Sequence, residues 1–253
     1  MDDRLEYELG VLLPGLLQPE HRWTRTLYPD PGTPFDWDRV FGRRAVRIVD
    51  LGCGSGRFLL GSAVAHPGRD HLGIEVVDRL ALEATRRADR RGLANVRIAA
   101  GDAVRWIFER LGEDSVDEIH IYHPQPYYNP AERGQRMLTP EFFDRLWRIL
   151  RKDGCLILQT DHRRYGKYLL EAAAKYFELE LHADPWPGQP EGRTRREIIA
   201  RRKGMTIRRV TARRRSRPLP VEIPRIDFDT RRGSPRLRRA PGPSGSGRPR
   251  SHP

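Results

Sequence analysis

Asp50, Glu75 and Asp102 each follow a short apolar run, and the first of them opens the glycine-rich stretch Asp50-Leu51-Gly52-Cys53-Gly54-Ser55-Gly56. Glycine at positions 52, 54 and 56 lets a chain turn sharply and bring its backbone against a ligand. Glu75 comes nineteen residues after Gly56, a spacing at which a carboxylate can accept both hydroxyls of a ribose. Asp102, within Gly101-Asp102-Ala103, is placed to meet the edge of an adenine. Together these residues describe a nucleotide-binding site. The dinucleotide pattern is a poorer match, because its third glycine would follow Gly54 by three positions, where Arg57 stands.

Polar and aromatic residues recur at the ends of the later apolar runs. Ile121-Tyr122-His123-Pro124-Gln125-Pro126-Tyr127-Tyr128 follows the fourth run, and Gln159-Thr160-Asp161-His162 the fifth. Gln125 offers a hydrogen-bond acceptor, Tyr127 a face on which a base can stack, and Asp161 a charge that can face a developing cation. Farther on, Gly192-Arg193-Thr194-Arg195-Arg196-Glu197 sets a hydroxyl and a carboxylate three residues apart, which suits either a ligand or a helix capping box. His123 reads as a packed strand-end residue rather than a base. Tyr127 and Tyr128 read equally well as a surface-packed pair, and Arg193, Arg195 and Arg196 as phosphate ligands or a solvated helix face.

These residues need a scaffold that brings several strand ends to one edge. Seven segments read as strands (AVRIVDL, HLGIEV, VRIAA, EIHIY, CLILQT, ELELH and a closing strand near MTIRRVTA), most of them separated by helical stretches. Short apolar strands alternating with helices imply right-handed crossovers. The expected fold is therefore α/β and doubly wound, a mainly parallel seven-stranded sheet with helices on both faces, Rossmann-like. Residues 1–40 read as an approach segment with one short helix from Asp3 to Leu17. Residues 41–215 read as the catalytic domain and 216–253 as a disordered basic tail rich in Arg, Pro, Gly and Ser.

The net charge of +13 is unevenly placed. Residues 205–253 carry 14 Arg against three acids, which leaves the first 204 residues close to neutral. Such a tail can grip phosphates without reading sequence. No long apolar run at the N-terminus suggests a signal or a membrane span, so a cytoplasmic protein is expected. Cys53 and Cys155 sit in or beside buried strands, as packing residues of a reducing compartment do, and no metal cluster is foreseen.

The glycine loop followed by Gly73-Ile74-Glu75 and Gly101-Asp102-Ala103 resembles the class I S-adenosylmethionine-dependent methyltransferases. From about Val46 to Ala212 the chain is similar, more narrowly, to the tRNA (guanine-N7-)-methyltransferase family. The shared order is glycine loop, GIE, GDA, a proline-aromatic segment after strand four, Thr160-Asp161, and the late T-x-x-E of Thr194 to Glu197. This resemblance implies methyl transfer from S-adenosylmethionine to guanine N7 in tRNA, at a variable-loop guanosine in the family. It implies Asp50, Gly52, Gly54, Gly56, Glu75 and Asp102 around the cofactor, with Asp50 either ordering the loop or receiving the methionine ammonium. It implies Asp161 and Gln125 at the chemistry, and Tyr127, Arg133, Arg136, Asp161, Thr194 and Glu197 toward the substrate. The expected partner is tRNA, the expected state a monomer or homodimer. One departure stands out. The family's P-D-P-W and the basic run after it are here Pro124-Gln125-Pro126-Tyr127 with only Arg133 and Arg136 following. That leaves open transfer to another RNA or a small molecule, or a non-catalytic cofactor-binding RNA partner.

Overall fold

Two short strands, Tyr7–Glu8 (β1) and Val11–Leu12 (β2), pair as an N-terminal hairpin ahead of the main sheet. The sheet is built from Val46–Leu51 (β3), Arg69–Glu75 (β4), Val96–Ala100 (β5), Val116–Tyr122 (β6), Leu150–Thr160 (β7), Phe177–His182 (β8) and Arg208–Arg214 (β9). In this computed structural model, residues 2–29, 32–127, 129–189 and 191–222 are described, apart from the side chains of Pro130 and Arg133. Tyr128 and the tail beyond residue 222 lie outside the described residues.

The strand order is β5-β4-β3-β6-β7-β9-β8, with β3, β4, β5, β6 and β7 mutually parallel and β9 antiparallel to both β7 and β8. This is the mainly parallel seven-stranded sheet read from the sequence. The chain winds outward in one direction from β3 to β5 and then returns to start again at β6. The carboxyl ends of β3 and β6 therefore lie side by side where the winding reverses, and ligands of such sheets bind in that crevice.

Helices cover both faces. Arg57–Ala65 (α2, after Trp37–Phe41 as α1) and Asp78–Asp89 (α3) pack on one side through Leu59, Leu60, Ala63, Ala81, Ala84 and Ala88. Ala103–Arg105 (α4, continued by a π-turn over Trp106–Arg110), Pro140–Ile149 (α5) and Arg163–Ala174 (α6) fill the other, around Trp106, Phe142, Phe143 and Tyr165. Arg195–Arg202 (α7) leads into β9. Among the described residues no helix is long and apolar enough to cross a membrane.

One local expectation is corrected. The helix expected from Asp3 to Leu17 is the β1–β2 hairpin instead. Leu9 and Gly10 both adopt left-handed φ (53° and 73°), which breaks any helix there. Its acids are held from far along the chain: Arg87 of α3 contacts Glu6 at 3.1 Å and Glu8 at 3.0 Å, and Arg91 contacts Glu6 at 3.0 Å. Residues 151–154 lie inside β7, at the irregularity where its register with β6 shifts. Both cysteines are free, as expected, with the Cys53 thiol pushed far up by burial and Cys155 pushed up to about 11 by the same cause.

Candidate active site

A cleft of about 640 Å3 opens at the crevice between β3 and β6. One wall is the glycine loop with Asp50, Gly52 and Gly54; the other brings together Gln125, Asp161 and Thr194 from three separate segments. Six of the residues singled out in the sequence thus share one cavity.

On the first wall, Gly52 (φ 76°) and Gly54 (φ 56°) hold left-handed backbone that a side chain rarely adopts, and a Cβ added to either would meet nothing within 4 Å. Their backbone faces open space. Gly56 has a different duty. It lies outside the cleft lining, and a Cβ there would come within 3.0 Å of the Ala84 Cβ, so this glycine admits α3 against the loop. Asp50 is 2% exposed and its Oδ1 has no hydrogen-bond partner. Burial pushes its carboxyl well above the usual range, and the nearby Glu75 adds to the push. A buried acid in this condition calls for a cationic partner.

Glu75 and Asp102 stand at their strand ends but do not line this cleft. The Glu75 carboxylate accepts from the amides of Gly54 at 2.8 Å and Val77 at 2.9 Å, shaping the loop from behind. Asp102 is exposed and caps α4 by accepting from the Val104 amide at 2.8 Å.

The second wall centres on a hydrogen-bonded chain that no local motif revealed. Trp186 Nε1 can only donate, and it donates to Gln159 Oε1. The Gln159 amide nitrogen must then donate to His123 Nε2, at 2.9 Å. With that lone pair occupied, the His123 proton sits on Nδ1 and is donated to Asp161 Oδ1 at 2.8 Å. Arg196 donates to the remaining oxygen, Oδ2. The His123 hydrogen bond and the Arg196 guanidinium hold the Asp161 carboxyl far below the usual carboxylate range, against burial, which opposes them. His123 is therefore a fixed link without a spare lone pair, consistent with its reading as a packed residue.

Between them lies the Pro124–Pro126 segment. His123 (φ 51°) and Tyr127 (φ 43°) flank it in left-handed conformations that each cost on the order of 1–3 kcal/mol. Arg136 restrains it by donating to the carbonyls of Pro126 at 2.8 Å and Tyr127 at 2.7 Å. Two of the Arg136 guanidinium donors are thereby engaged by the loop itself. Gln125 is exposed on the cleft wall, whereas Tyr127 is half-buried outside its lining. The Arg133 side chain lies outside the described residues.

Glu197 is placed away from the cleft. It is 1% exposed, accepts from the Arg193 amide at 2.8 Å and pairs with Arg209 at 2.7 Å, so it contacts neither cleft nor solvent. Its partner in the motif, Thr194, accepts from the Glu197 amide at 3.0 Å and also lines the cleft. Capping of α7 is what the motif does. Arg193, also read as a phosphate ligand, lies over the rings of Trp186 (4.7 Å) and Phe58 (5.5 Å) and donates to the Tyr122 hydroxyl at 3.0 Å.

Residues 44–210 match the family described as "Putative methyltransferase". A tRNA (guanine-N(7)-)-methyltransferase of Alkalilimnicola ehrlichii is 32% identical over 197 residues, covering 75% of this chain and 81% of the relative. Another, of Halorhodospira halophila, is 31% identical over 202 residues, covering 76% and 87%. Among solved structures, the crystal structure of the 16S rRNA methyltransferase KamB superposes on 70% of this chain and 92% of that one. Its TM-score is 0.55 at 16% identity, which speaks for the fold alone. With the cleft at the sheet's reversal point and relatives of this identity over most of its length, the chain belongs to the S-adenosylmethionine-dependent tRNA (guanine-N(7)-)-methyltransferase family.

Proposed function

We propose that this chain transfers the methyl group of S-adenosylmethionine to N7 of a guanine in tRNA, in the cytoplasm, as a monomer or homodimer, with residues 41–215 as the catalytic domain. The observation that carries the reading is the second wall: a fixed negative charge with no free base beside it at His123. Guanine N7 has a lone pair and no proton, so it needs alignment and a place for the positive charge, not deprotonation. A phenol, amine or hydroxyl acceptor would need a base, and both His123 nitrogens are already bonded.

The first wall fits the cofactor. The open backbone at Gly52 and Gly54 accommodates a close ligand, and the unpartnered Asp50 Oδ1 suits an ammonium. Glu75 and Asp102 are assigned to the ribose and the adenine edge, since a carboxylate oxygen that accepts one amide keeps a second lone pair. When bound, S-adenosylmethionine supplies a methyl carbon on a sulfonium. Attack by the N7 lone pair would form the new N–C bond as the S–C bond breaks with its electron pair left on sulfur, so the chain's residues would have to accommodate a positive charge on the base.

The chain's residues then align and stabilise. Gln125 holds the base edge, Tyr127 and Thr194 bound its position, and Asp161 faces the cation that forms. Preorganised charge of this kind costs no rearrangement at the moment of reaction. Outside, Arg195 on the cleft lining, and Arg163 and Arg164, which follow the lining residue His162 in the chain, are exposed and have no ion-pair partner among the described residues. They offer phosphate contacts, and the tail beyond residue 215 adds more.

Asp50→Asn is expected to weaken S-adenosylmethionine binding about 10- to 100-fold, the loss of one charge-assisted hydrogen bond of about 1.5–3 kcal/mol. Because its carboxyl is raised, Asp50 takes up a proton at a higher pH than a free carboxyl does, and an ammonium ligand must displace it. Affinity in the unmodified chain should therefore fall as pH is lowered through that raised range, and the Asn variant should lose this dependence. Calorimetry across pH reads both.

The function itself is tested with methyl-labelled S-adenosylmethionine and unmodified total tRNA. The digested RNA should contain 7-methylguanosine above an Asp161→Asn control, and binding should weaken with salt at a log-log slope of about −0.7 to −0.9 per neutralised phosphate. Cofactor binding without 7-methylguanosine would reject this acceptor.

A further inference from the structure

Arg57 is the first residue of α2, directly after the glycine loop, and it is 4% exposed. Its Nε donates to the Gly192 carbonyl at 3.0 Å and its Nη2 to the Leu12 carbonyl at 3.0 Å. Nη1 is buried with no hydrogen-bond partner, although Arg57 lines the cleft. No carboxylate pairs with it among the described residues. Glu8, Glu191 and Glu197 favour its charge only from a distance, Arg87 opposes it, and burial has the largest effect, lowering its pKa. A buried guanidinium bonded only to neutral carbonyls is an expensive arrangement unless something else brings an anion.

Asp50 presents the opposite problem on the same cleft. Its Oδ1 is also buried and unpartnered. The two lie at opposite ends of the glycine loop, Asp50 without a cation and Arg57 without an anion at ion-pair distance; Glu8, the largest favourable charge on Arg57, is itself buried with Oε2 unpartnered. An adenosine carries neither charge, and a phosphate would serve only the arginine. A ligand end bearing an ammonium and a carboxylate on one carbon answers both, and α2 directs the positive end of its dipole the same way.

We propose that Arg57 is a cofactor-binding residue that receives the α-carboxylate of the amino-acid end of S-adenosylmethionine, while Asp50 receives its ammonium. The proposal rests on the cofactor reading above and makes it specific. The site selects an intact amino acid, and a decarboxylated donor is discriminated against at Arg57.

The test is calorimetric binding of S-adenosylmethionine and of decarboxylated S-adenosylmethionine to the full chain and to Arg57→Met. The full chain should bind S-adenosylmethionine at least about 10-fold more tightly than the decarboxylated form. Arg57→Met should lose about 10- to 100-fold on S-adenosylmethionine and less than about 3-fold on the decarboxylated form. Because Arg57 also ties Gly192 and Leu12, a purely structural role would weaken both ligands by one factor, and that result overturns the proposal. Should Arg57→Met fail to fold, the unmodified chain decides alone: equal affinity for the two ligands overturns the assignment, and preference for the carboxylate supports it. A chain that binds neither ligand would remove the cofactor reading and this inference together, a result distinct from equal binding of both.

Discussion

Asp161→Asn should lower turnover on tRNA about 10²–10³-fold, equivalent to about 2.7–4 kcal/mol of transition-state stabilisation, while leaving S-adenosylmethionine affinity within about twofold. The reason is geometric as much as electrostatic. Asp161 accepts from His123 Nδ1 on one oxygen and from Arg196 on the other. An asparagine keeps one acceptor and turns an NH2 toward a donor, so the charge is lost and one of the two bonds with it. Gln125 has no charge to substitute. The carboxyl is depressed, so its charge is present above the usual carboxylate range and is lost only as pH falls through its lower folded value. Asp161 should therefore impose no acidic limb on turnover above pH ~4. Single-turnover rates at saturating cofactor separate this from binding. Unchanged turnover in the Asn variant would show that the base cation is stabilised elsewhere.

Glu197→Ala should be the most destabilising single change in the T-x-x-E segment. Glu197 and Arg209 have side chains 1% and 6% exposed and face each other at 2.7 Å. Removing the acid leaves a buried guanidinium uncompensated, at about 3–5 kcal/mol. For a chain of this size that corresponds to a fall in Tm of roughly 6–20 °C. Burial would raise the Glu197 carboxyl, but hydrogen bonds from Arg209, Gln159 and the Arg193 amide outweigh it and hold it low. Its contribution is thus complete above the unfolded carboxyl range and disappears as pH falls through the folded value, so the variant's deficit should shrink in acid. Replacing the pair together, Glu197→Leu with Arg209→Met, should recover much of the loss, since an apolar pair of similar volume removes both desolvation costs. A Glu197→Ala protein with unchanged Tm but a tenfold higher KM for tRNA would instead place this residue at the substrate.

The second of these experiments bears on a residue whose motif admits two meanings. Thr194 and Glu197 stand three apart, and that spacing is equally good for a capping box and for a ligand pair. What decides is Arg209, twelve residues on and in β9, which draws the carboxylate inward. The same holds for Arg136, whose charge is engaged by carbonyls at 126 and 127 across a loop. It holds again for the N-terminus, where a stretch read as helix is a hairpin because Arg87 and Arg91 bind its acids from α3.

Local information was sufficient wherever the feature itself is local. Alternating apolar strands and helices determine a parallel sheet because short crossovers have one favoured hand. A glycine loop at the end of the first strand determines a ligand crevice because the carboxyl ends of parallel strands share an edge. So the sequence alone determined the sheet and the glycine loop at its crevice, and it singled out Gln125, Asp161 and Thr194, which line one cleft. Only the tertiary structure decided their electrostatics. The chain from Trp186 through Gln159 and His123 to Asp161 joins three distant segments. The unpartnered atoms of Asp50 and Arg57 are known only once every neighbour is placed. Strand and helix periodicity arise from neighbours along the chain, whereas burial and hydrogen-bond saturation depend on residues brought together by folding.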